Sequence, residues 1–226
     1  MDRLTCDIAD GICKITLDDG KVNCLSPGMI GDINSALDAA EEAGAAVLLT
    51  GREGKFSAGY DLREFEKSRE AGIAMARAGG ALALRVFAFP RPVVVASTGH
   101  AIAAGCFLMS AAHFRLATQG PFKIGANEVA IGMAVPRWST ELLRHRLSPR
   151  FLTDALLSSR LYSPDDALVA GYVDQVCEAE ALLDAAMSKV RQLADLPADG
   201  FKETANRLRS SVHERASAGL LADYGT

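Results

Sequence analysis

The chain has five cysteines but no C-x-x-C pair, four histidines but no H-E-x-x-H or other metal-ligand spacing, and only 8 prolines in 226 residues. The odd cysteine count without a C-x-x-C pair suggests neither a disulfide framework nor a zinc site and reads as reduced, mostly buried thiols of a cytosolic protein. No run of five Lys/Arg occurs, and 24 basic against 28 acidic residues leave a net charge of −4. Nucleic acid is therefore not an expected partner, because phosphate is bound mainly by clustered cations. A P-loop, a G-x-G-x-x-G after a strand and a G-x-S-x-G elbow are also missing, which argues against those nucleotide-binding loops and against serine-hydrolase chemistry. The start, Met1-Asp2-Arg3-Leu4-Thr5-Cys6-Asp7, carries neither the apolar run of a signal peptide nor the Arg/Ser-rich composition of a transit peptide. A cytoplasmic location is the expectation.

One stretch tests that reading. Residues 92–114 contain no Asp, Glu, Lys or Arg and are nominally long enough to cross a bilayer. Ser97-Thr98-Gly99-His100 splits them into a β-branched run, Val93-Val94-Val95, and a small-residue run, the pattern of a buried strand turning into a buried helix. No membrane partner is expected.

What is present is a packed globular composition, 49% hydrophobic and 23% charged. A chain of this length buries about 70% of its unfolded surface and needs no disulfide or metal to fold. Residues 4–8 and 12–17 alternate around Asp10-Gly11 and predict a hairpin. Ser26 as N-cap, Pro27 at the first helical position, and Ile30, Ile33, Leu37 and Ala40 on one face predict a helix that Gly44 stops. Residues 45–50 form a short apolar run suited to a buried parallel strand. Residues 51–59 read as a loop and 61–87 as a helix broken at Gly79-Gly80. A strand at Val93, a helix from Ala103 and short strands at 114–117 and 122–124 follow. Helices over 138–146, 149–158, 164–170, 179–196 and 201–221 complete an α/β protein with a helical C-terminal part.

Two turns leading into helices carry the chemistry. Phe56-Ser57-Ala58-Gly59-Tyr60-Asp61-Leu62 and Gly99-His100-Ala101-Ile102-Ala103-Ala104-Gly105-Cys106-Phe107 place small residues where backbone N–H groups lack intrahelical acceptors. Two such donors aimed at one carbonyl oxygen make an oxyanion hole, reinforced by the helix dipole. On spacing alone a packing role is the favoured reading of such small-residue helix starts.

These segments resemble the signatures of the crotonase (enoyl-CoA hydratase/isomerase) superfamily: Gly51-Arg52-Glu53-Gly54-Lys55 continuing through Leu62 looks like the first, and residues 99–108 the second. Lys21-Val22-Asn23-Cys24-Leu25 is similar to the family's coenzyme A loop. Ser163-Pro164 and Gly171-Tyr172-Val173-Asp174 resemble a later segment, so the likeness spans roughly residues 4–190. It implies a spiral of ββα units over residues 1–195 and a C-terminal helical segment, 196–226, that serves trimerisation or covers the active site. It further implies a homotrimer or dimer of trimers acting on an acyl-CoA thioester. No cofactor is implied beyond the coenzyme A that the substrate carries, and no metal.

Carried over by position, the oxyanion donors are the N–H groups of Ala58 and Ala104. Alanine at 104 departs from the family's usual glycine and is acceptable where φ is negative. Lys21, Asn23, Cys24, Ser57, Gly59, Tyr60, Asp61, Leu62, Gly105 and Phe107 fall at substrate- or coenzyme-contacting positions. Asp61 also reads as a helix cap, Tyr60 as an acyl-tunnel wall or a packed aromatic, and Cys106 as packing. Arg137, Arg144, Arg146, Arg150 and Arg160 read as a solvated face or as contacts to the coenzyme's 3′-phosphate.

Family hydratases use two glutamates. Phe107 stands at the first position, which removes half of that machinery. Glu128 stands at the second, in a context (Asn127-Glu128, Gly132, Pro136-Arg137-Trp138) that resembles the mitochondrial-type Δ3,Δ2-enoyl-CoA isomerase branch. One carboxylate suffices to take a proton from C2 of a 3-enoyl thioester and return it at C4. Apolar neighbours Val129, Ala130, Ile131 and Phe107 are expected to raise the Glu128 pKa. Two alternatives stay open: a hydratase whose second carboxylate is Glu64 or Glu141, and an acyl-CoA-binding protein without turnover.

Overall fold

The computed structural model describes residues 3–225. The expected hairpin is formed by β1 (Leu4–Ala9) and β2 (Ile12–Leu17), with Leu4 opposite Leu17 and Ala9 opposite Ile12. Asp10 and Gly11 both take positive φ, 51° and 71°, as a two-residue turn matched to strand twist requires. Helix α1 (Pro27–Glu42) starts where predicted, with the Ser26 side chain accepting from the Met29 N–H.

The spiral follows. β3 (Ala46–Thr50) and β4 (Gly54–Ser57) lead into helices α2 (Leu62–Lys67) and α3 (Arg69–Phe87). β5 (Val93–Ser97) and β6 (Gly99–Ile102) lead into α4 (Ala104–Ala111). β7 (Phe114–Thr118) and β8 (Ile124–Gly125) lead through a short turn into α5 (Arg137–Arg146). Then come α6 (Leu152–Leu157), α7 (Pro164–Ala170), β9 (Gln175–Cys177), α8 (Leu182–Ala194) and α9 (Ala198–Tyr224). In each of the three strand pairs after α1, the first strand joins a six-stranded sheet of order β1-β2-β3-β5-β7-β9. The second joins a three-stranded sheet, β4-β6-β8. That alternation is the expected ββα spiral.

β3 and β5 are buried throughout because both faces of the large sheet are covered. Val47, Leu49, Val93 and Val95 point to one core beneath α1, α3 and α4. Ala46, Leu48, Val94 and Ala96 point to the other, beneath Leu182, Ala186 and Val190 of α8. The apolar stretch of residues 92–114 resolves into β5, β6 and α4, and no helix among the described residues is long and apolar enough to cross a membrane.

Three expectations are corrected. Residues 51–59 are not all loop: β4 lies within them, a four-residue strand whose partner, β6, is remote in sequence. β9 was likewise unforeseen. The long helix breaks at Ser68, which is extended (φ −166°) and caps α3 by accepting from the Ala71 N–H, rather than at Gly79-Gly80. The glycine pair is helical because it serves close packing: a Cβ on Gly79 would collide with the Tyr60 ring and lie 2.6 Å from its Oη, and one on Gly80 would lie 3.1 Å from the Trp138 indole. Gly79→Ala is therefore expected to destabilise by about 1–3 kcal/mol in a denaturant titration, although alanine is the better helix former.

The arginines after Pro136 divide by environment. Arg146 and the buried Arg209 of α9 donate to the carbonyls of Ser110, Ala111 and Ala112, which satisfies the C-terminal end of α4. Arg160 pairs with Asp154 and Asp166, and Arg137 pairs with Asp223. Gly219 lets α9 approach α5 closely, since a Cβ there would lie 2.9 Å from the Trp138 backbone nitrogen. The Arg137–Asp223 pair, with Asp223 also accepting from the Arg137 N–H at 2.6 Å, then fixes the end of α9 and sets the position of Tyr224.

Candidate active site

The two turns singled out in the sequence meet. Gly59 has φ +91°, and a Cβ on it would lie 3.0 Å from the Ala103 Cβ, 3.1 Å from the Ile102 carbonyl oxygen and 3.3 Å from the Ala104 nitrogen. Only glycine combines that φ with so close an approach. Across the contact, Ala103 takes φ 52° and ψ −126° and has no side-chain cap, so α4 opens with its N–H groups unshielded. The positive φ thus sits at residue 103, and Ala104, the first residue of α4, is not among the positive-φ positions. The departure from glycine at 104 is accommodated.

The first donor needs correction. The Ala58 N–H is engaged by the Val22 carbonyl at 3.0 Å. Gly59 donates to Ser57 Oγ at 3.2 Å. Tyr60 N–H, next in the same turn, has no acceptor among the described residues. Position in a motif does not reveal which amide of a turn is free; the neighbouring 21–25 loop decides that.

Glu128 lies between β8 and a 3-10 turn, Val129–Ile131, that ends at Gly132 with φ 78°. Its carbonyl accepts from Ile131 and Met133, at 3.1 and 2.9 Å, which pins the backbone. The side chain is 6% exposed, and its Oε2 has no partner among the described residues; the same holds for Asn127 Oδ1 beside it. Burial pushes the carboxyl up to about 7, against the pull of backbone N–H bonds from residues 128 and 127. Phe107 is fully buried and meets Trp138 edge to face at 5.5 Å.

A cavity of about 430 Å³ brings together Cys24, Ala58, Tyr60, Asp61, Leu62, Phe107 and Glu128 from the sequence reading. Asn127, from the same motif as Glu128, lines it too, and it also collects residues that the sequence did not suggest, among them Arg63 and, from the far end of the chain, Tyr224. Nothing in the local pattern around Arg63 or Tyr224 marks them. Tyr60 does line the cavity, and its hydroxyl donates to the Ala76 carbonyl at 3.0 Å. Asp61 caps α2 and forms a two-pronged pair with Arg63, whose guanidinium holds the carboxyl below its usual range.

The remaining positions act one layer back. Asn23 is buried at φ 53°, and its amide donates to the carbonyls of Leu17, Lys55 and Phe56, so it ties the 21–25 loop to β2 and β4. Ser57 donates to the Asn23 carbonyl at 2.7 Å. Gly105 abuts Ser57, with 2.6 Å available between an added Cβ and the Ser57 carbonyl. Lys21 is exposed and is not part of the cavity wall. Neither alternative carboxylate reaches the site: Glu64 pairs with Lys67 at 2.7 Å and Glu141 with Arg215 at 2.8 Å, and neither lines the cavity. Cys106 is fully buried, and burial pushes its thiol up.

Strand pairs shared between two sheets, with a buried carboxylate facing the meeting point of two glycine-bearing turns, define an enzyme of the crotonase superfamily. The chain belongs to the enoyl-CoA hydratase/isomerase family, whose sequence profile matches residues 7–225. It is 28% identical over 220 residues to human mitochondrial enoyl-CoA delta isomerase 1, covering 95% of this chain and 71% of that protein. A probable enoyl-CoA hydratase of Mycobacterium tuberculosis is 31% identical over 180 residues, 79% of this chain and 68% of that one. Among solved structures, an enoyl-CoA hydratase/isomerase family protein from Pseudomonas syringae superposes with TM-score 0.96 at 37% identity, covering 99% and 97% of the two chains.

Proposed function

We propose that the protein moves the double bond of a 3-enoyl-CoA to the 2 position, with Glu128 as the sole acid/base. The observation that carries this reading is the pair of carboxylates in the cavity wall: Asp61 is occupied by Arg63, Glu128 has a free oxygen, and Phe107 fills the place where a hydratase would hold its other glutamate. Glu128 takes a proton from C2, the electron pair moves into a dienolate ending on the thioester oxygen, and the same carboxylic acid returns the proton at C4. The N–H groups of Ala104 and Tyr60, the latter in place of Ala58, receive the thioester oxygen, each contributing about 3–4 kcal/mol in the transition state. A base that holds the proton between two steps profits from a raised pKa. Coenzyme A enters as part of the substrate, and the reaction needs no further cofactor.

Because the base must start ionised, kcat/KM is expected to rise with pH and level off above about 7. Tyr60 and Tyr224 share the cavity, and burial pushes both phenols up, so they stay neutral through that range. A pH profile with no inflection near neutrality would contradict the assignment. Product analysis with 3-hexenoyl-CoA and, separately, crotonyl-CoA tests the reaction itself: conversion of the first to 2-enoyl-CoA supports isomerisation, and dominant hydration of the second overturns it. A homotrimer or dimer of trimers goes with this reading, and light scattering after size exclusion is expected to give a multiple of three protomers.

A further inference from the structure

Away from the cavity, two cysteines lie against each other in the edge hairpin. Cys6 of β1 pairs in register with Ile15, and Cys13 of β2 with Ile8, so the two cysteines are diagonal neighbours on one face of the sheet. Their sulfurs are 3.4 Å apart, in direct contact. Cys6 is half-buried, whereas Cys13 is fully buried over the Ala36 carbonyl of α1. From this geometry we propose that Cys6 and Cys13 form an oxidisable dithiol, in which Cys6 reacts with a hydroperoxide and Cys13 closes a cross-strand disulfide.

Atoms and electrons balance without a further reagent. The Cys6 thiolate attacks one peroxide oxygen, the O–O bond breaks, and an alcohol or water leaves, giving a sulfenic acid on Cys6. The Cys13 sulfur then attacks the Cys6 sulfur, the S–O bond breaks, and the hydroxyl departs with the Cys13 proton as water. The dithiol loses two electrons and the peroxide gains them. The order follows from exposure, since a peroxide reaches Cys6 first. Burial and the contact with Cys6 push the Cys13 thiol up to about 12, so Cys13 stays protonated and does not compete for the first step.

Closing the bond requires the sulfurs to approach to about 2.05 Å. Diagonal neighbours in an antiparallel pair typically have Cα atoms about 7–8 Å apart, at or beyond the upper limit for a disulfide. The bond therefore forms only if β1 shifts toward β2. β1 is an edge strand bonded on one side alone, which lets it do so. The resulting disulfide is strained and correspondingly easy to reduce.

The test uses the wild-type protein treated with equimolar hydrogen peroxide, followed by intact mass and peptide mapping. The expected result is loss of two hydrogens, a linked pair of peptides containing Cys6 and Cys13, and full recovery with dithiothreitol. In Cys13→Ser the reaction should stop at a Cys6 sulfenic acid that dimedone traps. Cys24, half-buried in the cavity wall, is the internal competitor. Oxidation of Cys24 with Cys6 and Cys13 left reduced overturns the proposal, as does over-oxidation of Cys6 in the wild type without a linked product. The readout is covalent and is independent of which thioester reaction the cavity performs.

Discussion

Glu128→Gln is expected to lower kcat/KM for a 3-enoyl-CoA by about 10²–10⁴-fold, because the amide keeps the shape of the side chain and loses its ability to carry the proton. Thioester binding, measured by displacement with a non-reactive acyl-CoA, should survive. The same substitution should change stability in the opposite sense. In the native protein the Glu128 carboxyl titrates at about 7, against 4.5 when unperturbed. Between those values the native state holds a proton that the unfolded chain has released, so stability falls as pH rises through the window. The accumulated cost is on the order of 3 kcal/mol for a side chain this buried. Glu128→Gln removes the ionisable group, and its melting temperature is expected to exceed that of the wild type at about pH 8 and to match it near pH 4. Equal pH dependence in both proteins would refute the buried-carboxylate account, even if activity were lost.

Gly59→Ala is expected to have the next largest effect, and by a different route. The added methyl meets the Ala103 Cβ at 3.0 Å and the Ile102 carbonyl at 3.1 Å on a residue held at φ +91°. Strain of that kind costs about 1–3 kcal/mol of stability. It also forces the Tyr60 and Ala104 amides apart, since Gly59 is the spacer between their turns. Losing the alignment of one oxyanion donor costs about 10²–10³-fold in kcat. The fall should appear in kcat more than in KM, because the donors grip the thioester oxygen harder as it becomes charged. A variant with wild-type kcat would mean that the two amides do not act on the reacting oxygen.

Several elements of the fold are legible in the sequence. Ser26-Pro27 marks α1 and Asp10-Gly11 marks the hairpin, while Asn127-Glu128 with Phe107 at the alternative position points to an acid/base only through the family resemblance. These are local signals: a cap, a turn dipeptide and a motif each act within a few residues. Where local pattern and long-range packing disagree, packing prevailed. Gly79 and Gly80 read as a helix break, yet they lie inside α3 because the Tyr60 ring and the Trp138 indole occupy the space that side chains would need. β4 was hidden because a four-residue strand has no periodicity to show and exists by virtue of its pairing with β6.

The hairpin, most helices and the buried strands follow from residue type and spacing, since burial and capping are properties of side chains, whereas Glu128 as candidate proton carrier rests on the family resemblance. Which amide of the 57–61 turn is free, how far Glu128 is desolvated and that Tyr224 lines the cavity depend on segments far apart in the chain. The Val22 carbonyl consumes one donor, burial among remote segments pushes the Glu128 carboxyl up, and the Arg137–Asp223 pair brings the end of α9 home. Such contacts are set by three-dimensional packing, and no spacing within a single stretch of sequence encodes them.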